Sequence, residues 1–230
     1  MQWHYQVTGL DTITLHFGDR IDVAVTASVR QAAAALSMRL GDRLIDTVPS
    51  YTTLMLRYDL LADDLASLIH DVNIILSELP ERSHTTNDAE IIDIPVYYHP
   101  SVGPDLEVIA ARASLTIEQV IQRHSSQLYH VFAIGFAPGF AYLGEVPHEL
   151  ATPRLATPRA KVPAGSLGIA DRQTAIYPLT SPGGWNLIGR TPLTLFDPGR
   201  PSPSLLEAGQ RVRFRAIDLA EYLALGGQTE

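Results

Sequence analysis

Apolar and polar residues change period along the chain, and this change predicts the order of its elements. Between Thr12 and Phe17 every second residue is apolar, which is typical of a half-buried strand. From Asp22 the apolar residues recur with a helical period to Leu40, and Gly41 follows at the position where helices commonly end. The Asp22 side chain is suited to cap the first turn of this helix.

The N-terminal part is thereby predicted to form a small α/β domain. Its further predicted elements are strands at Leu44–Val48 and Thr53–Tyr58 and a helix from Asp63 or Asp64 to Leu79. The order β-β-α-β-β-α favours a sheet with helices on one side, close to the split βαβ type. We assign residues 1–82 to this domain and the polar residues 83–90, which lack periodicity, to a linker.

The remainder, residues 91–230, is predicted to be a second domain made mostly of short strands. The predicted strands are Ile91–Tyr98, Leu128–Ile134, Ser166–Ala170, Ala175–Tyr177, Trp185–Ile188, Thr194–Phe196 and Arg211–Ala216, and the predicted helices are Pro104–Ala113, Thr116–Gln122 and Leu219–Leu225. Many short strands separated by turn residues favour a closed or nearly closed barrel. The fold class of the whole chain is therefore predicted to be α+β.

The stretch from Val131 to Leu195 is unusually rich in glycine and proline. Glycine permits positive φ and close backbone approach, and proline fixes φ and removes a donor, so the stretch predicts short strands joined by tight turns. Aromatic and arginine side chains lie between these turns. Rigid loops that carry such groups are common places for binding sites.

Charge and composition narrow the classes of function. The net charge of −8 argues against a nucleic-acid partner, and the lack of cysteine excludes disulfides and thiolate chemistry. Residues 151–215 nevertheless carry nine basic residues against three acidic ones, a local excess of +6. This excess predicts either an anion- or partner-binding patch or a solvated face that pairs with the acidic N-terminal half.

The usual catalytic motifs are missing. The chain has no G-x-x-x-x-G-K-[ST] for ATP and no histidine spacing for a metal, so no metal is predicted in this chain.

The uncharged segment 125–144 has the length of a membrane span, but its glycines and proline favour a buried strand followed by a loop. His124 is a candidate general base, and the alternative is a structural histidine at a helix C-terminus.

The candidate site that remains is a set of loops. Phe136, Phe140, Tyr142 and Trp185 could line an apolar pocket. Arg154, Arg159 and Arg190 could hold an anionic group. Backbone N–H groups at Gly183 and Gly184 could bind an oxyanion. The alternative for each is a core aromatic, a paired arginine or an ordinary turn.

The order of these motifs resembles a known family that contains the B subunit of bacterial 5-oxoprolinase, the kinase inhibitor KipI and the first subunit of allophanate hydrolase. The matching elements are Val48-Pro49-Ser50-Tyr51, Gly103-Pro104-Asp105-Leu106, His124 with Tyr129, Gly135-Phe136-x-Pro138-Gly139-Phe140-x-Tyr142-Leu143-Gly144, Thr152-Pro153-Arg154, Pro158-Arg159, Val162-Pro163-Ala164-Gly165-Ser166, Gln173-Thr174, Tyr177-Pro178, Ser181-Pro182-Gly183-Gly184-Trp185 and Leu187-Ile188-Gly189-Arg190-Thr191-Pro192. The chain departs from the family's pattern at Leu155, Asp171 and Ala175, which alters the rim of the expected pocket.

The resemblance implies a cyclophilin-like β-barrel after the N-terminal domain. It implies a cytoplasmic, non-autonomous component that works with the homologous C subunit and with the A subunit of the same complex to convert 5-oxoproline to glutamate with ATP. It also adds Gln173 to the residues expected to bind a small anionic substrate. The ATP site is expected to be incomplete in this chain. No membrane partner is expected.

Two other functions stay open within the same family. The chain could bind a sensor histidine kinase and inhibit it, as KipI does. It could instead serve a carboxyltransferase-type reaction in urea or allophanate metabolism with a biotin-carrier partner.

Overall fold

A computed structural model describes residues 2–80 and 91–229. The chain divides into two compact units, Met1–Asp88 and Ala89–Glu230. The predicted linker, residues 83–90, lies outside the described residues.

The N-terminal unit is an antiparallel sheet with two helices. Its elements are β1 (His4–Val7), β2 (Thr12–His16), α1 (Val23–Leu40), β3 (Leu44–Ser50), β4 (Thr53–Tyr58) and α2 (Leu65–Ser77). The strand order is β1-β2-β4-β3. Because β4 is antiparallel to both neighbours, β2 and β3 run parallel to each other on either side of it.

Both helices of this unit begin where a capping aspartate was predicted. Asp22 accepts hydrogen bonds from the backbone N–H groups of Ala24 and Val25, at 2.7 and 3.3 Å. Asp64 accepts one from Ser67, at 2.9 Å. These contacts satisfy N–H groups that have no partner within a helix. The helices then bury their apolar stripes against β2 and β4.

The second unit is built on a closed barrel. Its elements are β5 (Ile91–Tyr97), α3 (Leu106–Ala113), α4 (Ile117–Ser125), β6 (Leu128–Ile134), β7 (Ala141–Gly144), β8 (Arg159–Val162), β9 (Ser166–Ala170), β10 (Gln173–Ile176), β11 (Ser181–Gly183), β12 (Asn186–Arg190), β13 (Arg211–Ile217) and α5 (Leu219–Ala224). Seven strands follow one another in the order β6-β13-β5-β12-β9-β10-β7, and β7 pairs with β6 to close the ring. The predicted α+β class and barrel are confirmed.

A two-stranded ribbon of β8 and β11 is separate from the barrel sheet. The sequence did not predict β7, β8 or β11, because each has three or four residues and contains or adjoins a glycine or a proline. The predicted strand at Thr194–Phe196 is wrong. Phe196 makes one isolated bridge to Ser204. Pro192 and Pro198 flank this segment and lack the N–H group that a longer ladder needs.

Side chains of the barrel strands divide between an interior and an outer cluster. On β9, Leu167 and Ile169 point into the barrel core, whereas Ala170 belongs to a separate apolar cluster on the other face of the strand. This division follows from the period of two in a strand. None of the described helices combines the length and apolar character that a membrane crossing requires.

Candidate functional site

An aromatic cluster lies on the outer face of the barrel wall. We call it the outer cluster, and its buried members are Phe140, Val162, Ala170, Ala175, Tyr177, Trp185 and Leu187. Val162 belongs to the ribbon, and the other members come from barrel strands and from the loops next to them. The outer cluster is a second apolar core between the ribbon and the barrel wall.

The predicted aromatic residues meet in this cluster but are not equivalent. Phe140 packs edge-on against Trp185, with ring centroids 5.7 Å apart, and both side chains are buried. Tyr142 is half-buried, with its ring 4.9 Å from that of Phe140. Phe136 is 64% exposed although its ring lies 5.1 Å from Phe140. Phe140 and Trp185 therefore form the packed floor, and Phe136 and Tyr142 offer aromatic surface above it.

Two of the three predicted arginines adjoin the same floor. The guanidinium carbon of Arg154 lies over the Trp185 ring, 5.8 Å from its centroid, which is within the range of a cation–π contact. Arg159 donates from Nη2 to the Asp105 carboxylate at 2.8 Å and from Nη1 to the Trp185 carbonyl at 3.4 Å. Arg154 is exposed, while the Arg159 side chain is mostly covered.

Asp105 was not among the residues predicted for the site. Its Oδ2 accepts a hydrogen bond from the Leu187 backbone N–H at 2.7 Å, and its own N–H donates to the Leu187 carbonyl at 2.9 Å. The side chain precedes α3 but does not cap it. It is directed instead to Arg159 and β12. The motif Gly103-Pro104-Asp105-Leu106 contained the signal, but only the fold brings Asp105 to residues 54 and 82 positions away.

Tyr177 is a buried member of the outer cluster, with its ring 5.4 Å from that of Phe140. Burial raises the pKa of its hydroxyl, and a backbone hydrogen bond from Trp185 and the charges of Arg154 and Arg159 oppose that rise. A Cβ atom on Gly183 would lie 2.7 Å from the Cζ atom of Tyr177, so a side chain there would overlap the ring. Glycine is thus required at position 183 by close approach.

The neighbouring loop also bears on the predicted oxyanion site. The Gly184 carbonyl accepts a hydrogen bond from the Leu155 N–H at 2.7 Å, which fixes the loop that carries Arg154. The binding of an oxyanion by the N–H groups of Gly183 and Gly184 stays a prediction.

Arg190 and Gln173 make their described contacts elsewhere. Arg190 donates to the carbonyls of Ala164 and Gln228, at 2.8 and 2.9 Å. It lines a separate cavity of about 190 Å³ next to the C-terminal segment. Gln173 begins β10 and pairs with Gly144 and Ala170. These particular contacts do not involve Arg154 or Arg159.

The three departures from the family's pattern have different surroundings. Asp171 lies in the β9–β10 turn with φ of 53°, a conformation that aspartate tolerates better than most residues. Ala175 is fully buried in the outer cluster, so the expectation that it lies at a pocket rim is wrong. Leu155 is the residue that bonds to Gly184.

The local excess of +6 does not form one cationic patch. Five of the nine basic residues pair with carboxylates: Arg159 with Asp105, Arg172 with Glu145, Arg200 with Asp197, Arg213 with Asp93 and Arg215 with Glu221. Four of these five acids lie outside residues 151–215. A charge count along the sequence could not include them, because folding brings them in from distant positions.

His124 is not placed to act as a general base at these loops. It has no exposed surface; its Nδ1 lies 2.9 Å from the Tyr98 hydroxyl and its Nε2 lies 3.1 Å from Oγ1 of Thr174. Thr174 already donates to the Gly168 carbonyl, so Nε2 is the donor and Nδ1 accepts from Tyr98. Burial lowers the pKa of His124 to about 3. Both ring nitrogens are engaged in the barrel interior, which is the geometry of a structural histidine.

Residues 2–80 and 91–229 contain no group of three or more His, Asp or Glu side chains that could hold a metal ion. The sequence also has no phosphate-binding glycine loop followed by Lys and Ser or Thr. A small anion beside the aromatic surface stays the predicted ligand.

The known proteins that are similar to this chain agree with one another. Residues 3–206 match the family described as "Carboxyltransferase domain, subdomain C and D". The chain is 38% identical to the 5-oxoprolinase B subunit of Bacillus subtilis, over 97% of this chain and 98% of that protein. It is 54% identical to the 5-oxoprolinase B subunit of Escherichia coli O157:H7, over 55% of this chain and 58% of that protein.

Solved structures share the fold. The crystal structure of TTHA0988 superposes with a TM-score of 0.79 at 38% identity, covering 90% of this chain and 40% of that one. The urea carboxylase of Kluyveromyces lactis superposes with a TM-score of 0.75 at 16% identity, covering 96% of this chain and 22% of that one. The chain thus corresponds to less than half of either larger polypeptide. Its sequence and its fold agree that it belongs to the family of the carboxyltransferase domain, subdomains C and D, alongside proteins named as the B subunit of 5-oxoprolinase.

Proposed function

We propose that this chain is the B subunit of a cytoplasmic, ATP-dependent 5-oxoprolinase that converts 5-oxo-L-proline to L-glutamate together with the A and C subunits. The names of its relatives support this assignment, above all the relative that aligns over nearly the full length of both chains. The structural observation that carries it is the placement of Arg154 and Arg159 beside the Trp185 floor of the outer cluster. In its finer features, we take the fold to be a split βαβ unit followed by a cyclophilin-like barrel.

The proposed substrate has the chemistry that this surface can recognise. 5-Oxoproline is a compact five-membered lactam with one carboxylate. An arginine can bind the carboxylate through two parallel N–H···O hydrogen bonds, and an aromatic floor can cover the lactam ring. Phe136, Phe140, Tyr142, Gln173, Gly183, Gly184 and Arg190 stay in the predicted binding set, and we expect Phe140 to act through packing.

We propose that ATP binds in the complex, at a site that this chain alone does not complete. When bound, it would supply the activation that a stable amide needs before water can open the ring. This chain's residues would bind and orient the lactam and exclude water from its apolar edge. The chain is then a non-autonomous part of the enzyme, and it needs the A and C subunits for turnover.

A carboxyltransferase-type function is the second candidate. The description of the matched family favours it, and the likeness to a region of urea carboxylase is compatible with it. This function predicts a biotin-carrier partner and activity toward carboxylated urea. It uses the same surface for a different planar anion.

The deciding experiment is the purification of this chain co-expressed with the A and C subunits. We expect glutamate release from 5-oxo-L-proline only when ATP and all three subunits are present. Turnover of carboxylated urea but not of 5-oxoproline would replace the first assignment with the second. Recovery of a sensor histidine kinase in place of the A and C subunits would contradict both and favour the inhibitor function.

A further inference from the structure

We infer that the two arginines of the outer cluster have different tasks: Arg154 receives the carboxylate of the ligand, and Asp105 holds Arg159 as a positioning residue for Trp185. The inference deepens the proposed function and rests on it for the identity of the ligand. It assigns one receiving arginine out of the three that the sequence offered. It also gives a role to Asp105, which the sequence did not place at the site.

The contacts of Arg159 are directed inward. One arm of its guanidinium donates to Asp105 Oδ1 and the other donates to the Trp185 carbonyl. The charge is neutralised at 2.8 Å by a carboxylate whose side chain is only 10% exposed. An incoming carboxylate would have to displace that acid or share the cation with it. Arg159 is therefore suited to fix the backbone at Trp185 rather than to bind an external anion.

The other oxygen of Asp105 completes this arrangement. It accepts the Leu187 N–H, two residues after Trp185, while Arg159 holds the carbonyl of Trp185 itself. The segment is thus held from both sides by one carboxylate and the cation paired with it. Because the carboxylate is buried and bonded at both oxygens, its removal would free Arg159 and the Trp185 segment together.

Arg154 has the opposite character. It is exposed, and among the described residues no carboxylate lies within ion-pair distance of it. Its guanidinium lies over the ring of Trp185. A guanidinium carries its N–H donors in a planar fork, and no described carboxylate occupies the fork of Arg154. An arginine supported in this way offers a fork that matches a carboxylate.

Phe136 adds an exposed aromatic ring to the same cluster, and its ring is linked to that of Trp185 through Phe140. Its φ of 68° is rare for a bulky residue, and a tight loop maintains it through the bonds from Ala137 N–H to the Gly135 carbonyl at 2.8 Å and from Phe140 N–H to the Ala137 carbonyl at 3.0 Å. Unusual backbone of this kind is concentrated at binding sites. The loop holds an exposed ring on the edge of the outer cluster. The ligand class is accordingly a small carboxylate with a compact apolar body.

The test in the three-subunit complex compares 5-oxo-L-proline with its neutral primary amide, which has the same ring but no carboxylate. In Arg154→Ala, kcat/KM for the acid should fall roughly 10- to 100-fold through KM, with much less change for the amide, because a charge-assisted bond to the carboxylate is lost. Arg154→Lys should recover part of the loss, since lysine supplies the charge without the fork. Arg213→Ala is the matched control, an exposed arginine paired with Asp93 on β13 and β5. This variant should have the wild-type kcat/KM for both substrates.

Asp105→Asn separates positioning from recognition. It should lower kcat/KM for the acid and the amide by similar factors, so that their ratio stays within roughly threefold of the wild-type value. An acid-to-amide ratio that is unchanged in Arg154→Ala would overturn the inference. A ratio that falls in Asp105→Asn as far as in Arg154→Ala would overturn the division of tasks.

A second readout needs no turnover. In the Trp3→Phe variant of the full chain, Trp185 is the sole tryptophan, so its fluorescence reports directly on the floor beneath Arg154. Titration with 5-oxo-L-proline or L-glutamate should change the emission, the neutral amide should not, and Arg154→Ala should abolish the change. Equal responses to acid and amide, or no response to either acid, would overturn the inference. A carboxylate response without any 5-oxoprolinase activity would instead contradict the proposed function and leave the assignment of Arg154 supported.

Discussion

The interior of the barrel and the outer cluster both place polar groups against aromatic rings, but with opposite outcomes. Inside, His124 and Tyr98 are bonded to each other, and Thr174 takes the remaining ring nitrogen. On the outer face, Arg154 adjoins the aromatic floor and is exposed. The difference lies in whether the protein itself fills every hydrogen-bonding position of a polar group. Where it does, the group stabilises the fold, and where it does not, the group is available to a ligand.

The same contrast separates the two neighbouring arginines. Arg159 is paired with a buried carboxylate, whereas Arg154 has an aromatic face beneath it. Residue type alone therefore does not identify a binding group. Four changes test this comparison, from the largest expected effect to the smallest.

The largest effect is expected from acid. Burial lowers the pKa of His124 to about 3, below the value of about 6.5 for an unfolded histidine. The unfolded chain therefore binds a proton that the folded chain excludes. The contribution to stability is complete above about pH 6.5 and is lost as pH falls toward 3. Between pH 7.5 and pH 4 the loss should reach about 3 kcal/mol.

Denaturant unfolding at the two pH values, in the wild type and in His124→Gln, measures this contribution. The carboxylates titrate in both proteins, so the difference between the two losses isolates the imidazole. An equal loss in both proteins would mean that His124 is not a buried neutral residue.

The next effect concerns the buried acid. Asp105→Asn keeps the size of the side chain but leaves Arg159 without its countercharge, and we expect a loss of roughly 2–3 kcal/mol in the free energy of unfolding. Asp93→Asn is the matched control, because Asp93 forms an exposed pair with Arg213. Exposed pairs of this kind contribute about 1 kcal/mol or less. Similar losses of stability in the two variants would mean that the Asp105–Arg159 pair contributes no more than the exposed Asp93–Arg213 pair.

The adjacent residues Gly183 and Gly184 test the packing of the outer cluster, because adding one methyl group should change stability differently at each position. Gly183→Ala places a Cβ atom 2.7 Å from Tyr177 Cζ and should cost about 1–3 kcal/mol through overpacking. In Gly184→Ala the nearest atom is 3.6 Å away, which is ordinary contact, and the change should be within about 1 kcal/mol of neutral. Thermal unfolding of both variants measures this difference in stability. The reverse order of stabilities would show that Tyr177 does not pack on Gly183.

The smallest effect is expected at the turn between β9 and β10. Asp171 has φ of 53°, so Asp171→Ala should cost about 1 kcal/mol, whereas Asp171→Gly should be neutral within about 0.5 kcal/mol. Denaturant midpoints resolve such differences. If alanine were as stable as glycine at this position, the turn would not require a left-handed residue, and the departure from the family's pattern would need another account.

The sequence by itself determined the elements that depend on local periodicity and on capping. The helix from Asp22 to Gly41 and the strands 53–58 and 128–134 follow from side-chain spacing, because neighbouring residues share one backbone geometry. The order of the glycine and proline motifs was sufficient to identify the family. The aromatic members of the site were also recognisable, since they lie within one turn-rich stretch.

Only the tertiary structure decided which polar groups are satisfied. The carboxylate that neutralises Arg159 comes from a residue 54 positions earlier, and the acids that pair with most of the local positive excess also lie outside that stretch. The partners of His124 come from β10 and from the residue after β5. Pairing depends on distances of a few ångströms between segments that are remote in sequence. Charge and hydrogen-bond complementarity at this site are therefore properties of the fold, whereas periodicity is a property of the chain.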